Sequence, residues 1–144
     1  MNDWKCYPAS LDDFEDMRVQ LDEVADALMI PPEIMIKLEL GFEEAVVNVI
    51  NYSGSDKVWI KVAVVDRIFK IEIVDHGIDF NPLIVNDPRA SDDSPLEERE
   101  PGGFGIFLIK QTFDELDYRR EIFEGAPANH LSLALRLNGD EIKT

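Results

Sequence analysis

Apolar residues recur along this chain with two different periods, and the places where the period changes outline its elements. Trp4 to Tyr7 suits a short first strand. From Ser10 to about Met29, the positions Leu11, Phe14, Val19, Leu21, Val24, Ala25 and Leu28 follow an approximately helical stripe. The opposite face carries Asp12, Asp13, Glu15, Asp16, Asp22, Glu23 and Asp26, a run that reads as a solvated face. Ser10 is placed to cap this helix, with Asp13 in the capping-box position three residues on. Pro31-Pro32 breaks it and suits the first turn of another helix, which the pattern carries from Pro32 to about Tyr52, ending at Ser53-Gly54. Ile34, Leu38, Ala45 and Val49 form its buried side.

Two runs rich in β-branched residues follow, Lys57–Val65 and Ile68–Val74, with Asp66-Arg67 as a hairpin turn between them. Asn81–Pro101 then breaks all periodicity with four prolines, many acids and little apolar content. A connection of that length inside a compact domain is either a functional lid or a disordered loop. Gly105–Phe113 predicts a third helix; Leu116–Ile122 and Leu131–Leu137 predict closing strands joined through Gly125-Ala126-Pro127. This order predicts an α+β fold: a two-layer sandwich with helices on one face of a mostly antiparallel mixed sheet. The long loop would lie over the helical layer. One domain spanning residues 1–144 is expected, with no internal repeat.

Composition narrows the function classes. The 144 residues are 45% hydrophobic and 31% charged, as in an ordinary globule. The formal net charge of -16 repels a phosphate backbone and argues against direct nucleic-acid binding. Such a surface either keeps the protein soluble or steers a basic protein partner. No apolar run approaches the ~20 residues of a membrane span. The start of the chain lacks the features of a signal peptide, and the single Cys6 cannot form an internal disulfide. A cytoplasmic protein is the expectation.

Three short segments carry candidate chemistry. Glu44, Asn48 and Asn51 stand at i, i+4 and i+7 of the predicted second helix, on one stripe amid Ala45, Val46, Val47, Val49 and Ile50. Polar groups in that setting need a partner; a magnesium ion would supply one to the amide, and the carboxylate is placed to take a proton. The plain alternative is a polar helix edge meeting water. Asp75 and Gly77 follow a strand: a carboxylate here accepts a hydrogen bond from an exocyclic amine, and a glycine admits a ring close to the backbone. The plain alternative is an Asx turn, with His76 an exposed bystander. Gly102-Gly103-Phe104-Gly105 opens the third helix, where converging N–H groups suit phosphate, although the Lys-Ser/Thr of a P-loop is lacking. Arg99, within the acidic lid segment, either reaches a terminal phosphate or pairs with its neighbours; Arg89 is the other cation of that loop.

The combination is more specific than its parts. Glu-x-x-x-Asn on a helix, Asp-x-Gly 27 residues after the asparagine, and Gly-x-Gly after a polar lid resemble the N, G1 and G2 boxes of the GHKL ATPases of Bergerat fold. Phe80-Asn81-Pro82 resembles the Phe-Asp-Pro that follows G1. The short form resembles the bacterial anti-sigma factor serine/threonine kinases, from about Ser10 to Leu137. The resemblance implies Glu44 as general base, Asn48 as ligand of Mg2+, and Asp75 and Gly77 at the adenine. It implies Asn51, Phe80 and Phe104 along the nucleotide pocket, Gly103 and Gly105 at the phosphates of ATP, and Arg99 as lid arginine. Asp79 departs from the glycine many relatives carry. The implied activity is phosphorylation of an anti-sigma antagonist by a protein that also binds a sigma factor and forms a homodimer. The alternatives are an ATP-binding partner-switching regulator without kinase activity, a sensor histidine kinase fragment, and an interaction domain with a decayed site. A histidine kinase needs a phosphoacceptor on a dimerising helix, which neither His76 nor His130 supplies.

Overall fold

One face of every strand in the sheet is turned toward the helices, because apolar residues alternate with polar ones along β2 and β3. The structure is a computed structural model and describes residues 4–81, 83 and 109–137. Its strands are β1 (Lys5–Pro8), β2 (Lys57–Val65), β3 (Ile68–Asp75), β4 (Glu115–Phe123) and β5 (Ala126–Arg136), in the spatial order β1-β2-β3-β5-β4. Each neighbouring pair is antiparallel. Helix α1 (Phe14–Ala27) and helix α2 (Pro32–Tyr52) cover one face. Val58, Ile60, Phe69, Ile71, Ile73, Leu131 and Leu133 from the sheet meet Met17, Leu21, Leu38, Phe42, Ala45 and Val49 from the helices in one buried cluster. Residues 109–112 are helical and bring Ile109 and Phe113 into that cluster. A Cβ on Gly41 would stand 2.8 Å from the Phe113 ring, so a glycine inside α2 is exchanged for close packing. The fold is the α+β sandwich expected from the sequence.

Helix α2 has the bounds its pattern predicts and the hairpin turn falls on Asp66-Arg67 as expected, whereas three local expectations are corrected: the start of the first helix, its capping box and the start of the last strand. Ser10 does cap, but its Oγ accepts from the Asp12 N–H at 3.2 Å and opens a 3-10 turn, Leu11–Asp13. Asp13 makes no capping bond with its side chain, so no capping box forms. The β2–β3 hairpin closes on Asp66 (φ 53°) and Arg67 (φ 65°), the left-handed pair that a type I′ turn demands. The third correction bears on function. The β4–β5 turn is Glu124-Gly125, both at positive φ, and β5 begins at Ala126 rather than Leu131. Pro127 pairs with Ile122 beyond the end of β3, where its missing N–H leaves no β3 carbonyl unpaired. Asn129 and His130 are therefore strand residues, and Asn129 stands opposite Asp75.

On the other face of the sheet, Trp59 meets His76 edge-on with ring centres 4.8 Å apart, and Phe123 packs against both. His76 is half-buried, with Nδ1 3.1 Å from the Pro127 carbonyl oxygen, so it is not the exposed bystander expected. His130 is clamped: Nε2 lies 2.9 Å from Glu72 Oε1 and Nδ1 2.8 Å from Glu121 Oε2. Ionised carboxylates only accept, so both ring nitrogens carry hydrogens and the imidazole is held as a cation. The bond to Glu72 raises the His130 pKa above its ordinary value, while the same bond lowers that of Glu72.

The sign follows from linkage. The histidine's contribution is complete below its unfolded pKa of about 6.5 and fades as pH rises through the higher folded value. The glutamate's is complete above about 4.3 and fades as pH falls through its lowered value. His130→Leu should therefore cost about 2 kcal/mol near pH 6 in urea unfolding, with a smaller difference from wild type at alkaline pH. A difference independent of pH would contradict the clamp.

Candidate functional site

The site is assembled where α2 ends against the turn after β3. The Ser53 N–H caps the helix on the Val49 carbonyl at 3.0 Å, and Gly54 at φ 76° turns the chain away. The Ser53 carbonyl then accepts the Ile78 N–H at 2.9 Å. A Cβ on Gly77 would fall on the Ser53 carbonyl oxygen and within 2.6 Å of its carbon. The bare backbone at Gly77 is thus taken up by the protein's own helix end. Ser55 Oγ adds a second tie, accepting the His76 N–H at 3.1 Å. Gly77→Ala should cost about 1–3 kcal/mol in urea unfolding, because the obstacle is backbone and cannot swing aside; unchanged stability would show that the two segments are not locked.

Asp75, at the end of β3, is 1% exposed. Its Oδ1 accepts the Gly77 N–H at 2.8 Å and the Asn129 side-chain amide at 3.0 Å. The first of these is the Asx turn, so that plain alternative describes one oxygen of the carboxylate. Burial pushes the Asp75 carboxyl above the usual range, while the Gly77 N–H, the Asn129 amide, the Ser53 hydroxyl and the Arg120 charge oppose it.

Along α2 the three polar residues differ. Glu44 is half-buried, Asn48 is buried and Asn51 is exposed. Burial, with the neighbouring Glu43 charge, raises the Glu44 carboxyl above its ordinary range, which makes it a stronger proton acceptor. Asn48 is 2% exposed and its Nδ2 has no hydrogen-bond partner. Along the helix axis it stands five positions, about 7.5 Å of rise, before Ser53. Phe80 follows the turn, its ring 5.8 Å from that of Tyr52 and its N–H donating to Asn129 Oδ1 at 3.2 Å. Arg99, Gly103, Phe104 and Gly105 lie outside the described residues, as do Arg89 and residues 84–101 of the lid segment.

The donor set suits a magnesium nucleotide. An unmatched buried amide beside a half-buried carboxylate is an unmet need that a bound group would satisfy, and a half-turn about χ2 presents the amide oxygen instead of the nitrogen. Among the described residues no three His, Cys, Asp or Glu cluster to hold a metal ion. Magnesium commonly depends on few protein ligands and on substrate phosphates.

Sequence reasoning missed three residues of this cluster. Asn129 donates to Asp75 and to the Ile78 carbonyl at 2.7 Å, and accepts from the Tyr118 hydroxyl at 2.6 Å and Arg120 Nη1 at 3.0 Å. Arg120 also reaches the Gly77 carbonyl at 2.9 Å. Tyr118 lies 2.7 Å from Asp79, and burial followed by that contact pushes its pKa up to about 12. The alternation of Leu116, Tyr118 and Arg120 along β4 was the available signal, since those residues share the face that meets β5 at Leu133, Leu131 and Asn129.

Residues 7–134 match the histidine kinase-like ATPase domain family. The chain belongs to that family. Serine-protein kinase RsbW of Oceanobacillus iheyensis is 26% identical over 105 residues, spanning 69% of this chain and 66% of that protein, just under two thirds of its length. Among solved structures, the histidine kinase domain from the Erythrobacter litoralis EL346 blue-light activated histidine kinase is similar over 80% of this chain and 59% of its own, at 16% identity and a TM-score of 0.47. For a histidine kinase-like ATPase domain the orphaned amide has a consequence for stability. Asn48→Leu removes a buried polar group with no partner, so it should leave stability unchanged or raise it by about 1 kcal/mol while abolishing binding of Mg-ATP in calorimetry. A loss of both would mean that Asn48 serves the fold instead.

Proposed function

We propose that this domain binds Mg-ATP at the α2–β3 junction and transfers the γ-phosphate to a serine or threonine of a partner protein. The observation that carries this reading is a buried carboxylate at Asp75 and an unmatched buried amide at Asn48, on two segments tied by the bond from the Ile78 N–H to the Ser53 carbonyl. Asp75 accepts the exocyclic amine of adenine. Asn48 would hold Mg2+, which offsets triphosphate charge when bound. Glu44 takes the proton of the acceptor hydroxyl as its oxygen bonds to phosphorus, and the bond from phosphorus to ADP breaks. Gly103, Gly105 and Arg99 belong to the phosphate side, and Asn51, Gly77, Phe80 and Phe104 to the surroundings of the nucleotide.

The partners we infer are a sigma factor and an anti-sigma antagonist, in a partner-switching circuit that regulates transcription in the cytoplasm. The similarity to a serine-protein kinase supports the reaction class. The exposed acids Asp12, Glu15, Asp16, Glu23 and Asp26 of the first helical segment support a basic partner. Arg18, the one cation of α1, is shared among Glu15, Asp22 and Glu39 and offsets only one of the negative charges there. No helix of the described residues is long and apolar enough to cross a membrane.

Three measurements test the reading. Mg-ATP at a hundredfold its dissociation constant should stabilise the protein by about 2.7 kcal/mol; a melting temperature that ignores Mg-ATP would argue for a decayed site. Capture of partners with and without ATP, followed by phosphosite mapping, should identify a phosphorylated serine or threonine. Glu44→Gln should keep ATP affinity and lose at least about 100-fold in transfer rate. Transfer that survives this change would assign the proton to another group, whereas ATP binding without transfer in the wild type would leave a nucleotide-dependent regulator.

A further inference from the structure

We infer that Asn129 is the positioning residue that sets base selectivity in this site, by fixing the buried Asp75 carboxylate so that it can only accept a hydrogen bond from the bound base. The inference rests on the reading of the junction as a nucleotide pocket. Asn129 is 3% exposed, and every polar atom of its side chain is used. The two amide hydrogens go to Asp75 Oδ1 at 3.0 Å and to the Ile78 carbonyl at 2.7 Å. The amide oxygen receives the Phe80 N–H at 3.2 Å and Arg120 Nη1 at 3.0 Å, and lies 2.6 Å from the Tyr118 hydroxyl, whose one hydrogen it shares with Asp79.

That set of partners admits one orientation. A reversed amide would place its NH2 against two obligate donors, the Phe80 N–H and Arg120 Nη1, and its oxygen against a carboxylate and a carbonyl, breaking those contacts at once. Asp75 is oriented in turn, because Oδ1 is claimed by the Gly77 N–H and by Asn129, while neither of these donors touches Oδ2. The chain from Ile78 to Phe80 is wrapped around the same amide, so the wall of the pocket and its acceptor are built on one side chain.

The chemistry of recognition follows. A fixed, ionised carboxylate accepts from a 6-amino purine and repels the carbonyl oxygen of a 6-oxo purine. Without the donor from Asn129, Asp75 keeps only the Gly77 N–H and the Ser53 hydroxyl and takes up a proton more readily, and a carboxylic acid donates to a 6-oxo group as readily as it accepts from an amine. Selectivity therefore resides in Asn129 as much as in Asp75, although Asn129 need not touch the base.

Inosine triphosphate is the discriminating probe, because it carries an oxygen in place of the 6-amino group and keeps the ribose and triphosphate. By calorimetry the wild-type protein should favour Mg-ATP over Mg-ITP by about 10–100-fold, the worth of a hydrogen bond to a charged group. Asn129→Ala should bring the ratio to within about threefold, with ATP losing the larger factor. Asn129→Leu, similar in shape but without polar atoms, should do the same and carries the test if the alanine variant does not fold. A folded variant that keeps the wild-type ratio, or loses ATP and ITP affinity equally, overturns the inference and leaves the nucleotide pocket standing. A wild-type protein that binds neither nucleotide overturns the pocket, and the inference with it.

Discussion

The contact on which this structure turns is the one between the last residue capping α2 and the turn that follows β3. The Ser53 carbonyl takes the Ile78 N–H, and Gly77 leaves no side chain between the two backbones. A helix that carries Glu44 and Asn48 is thereby docked onto a strand end that carries Asp75. The antiparallel register adds the third part, since Asn129 of β5 pairs with Asp75. Segments far apart in sequence meet because one carbonyl and one glycine permit it.

What gathers there runs against the economy of the fold. Elsewhere the core is mainly aliphatic and aromatic, with Leu38, Phe42, Phe69, Ile71 and Leu133 fully buried, although Gln20 and Ser132 are buried too and Asp22 Oδ1 and Ser132 Oγ also lack partners. At the junction a carboxylate is buried with its pKa raised, and an amide nitrogen is buried with nothing to bond. Groups of that kind destabilise a folded protein unless something binds them. Shifted titratable groups gathered beside unmatched polar atoms are a pattern of functional sites. His130 offers the contrast: also buried and charged, it is matched on both nitrogens by Glu72 and Glu121 and serves the sheet.

Much of the fold could be read from the chain. The apolar period of α2 and its bracketing Pro31-Pro32 and Ser53-Gly54 are local signals, and no distant contact overrides them. The β2–β3 hairpin was equally legible, although Asp66-Arg67 adopts its left-handed turn without glycine or asparagine. The start of β5 was hidden because Pro127, Ala128 and Asn129 are poor strand formers, placed there by pairing with β4 and β3. Asn129 was lost along with that boundary. Asp75 and Gly77 stood out as residue types, but the role of Gly77 was invisible, because it depends on Ser53 arriving from another element. Tyr118 and Arg120 were hidden for the same reason: their partners Asp79, Gly77 and Asn129 are distant in sequence.

The acid of this chain and the proposed nucleotide act in opposite senses, because a net charge of -16 repels a triphosphate as strongly as it draws a basic partner. Local donors and a metal ion must outweigh that repulsion, and the junction of α2 with β3 is where this account places them. A nitrogen–proton correlation spectrum of the protein titrated with Mg-ATP tests the placement most directly. The account predicts that the signals of residues 44–53, 75–80 and 129 shift together and saturate at one concentration. Shifts confined to other surfaces, or none at millimolar nucleotide, would contradict it.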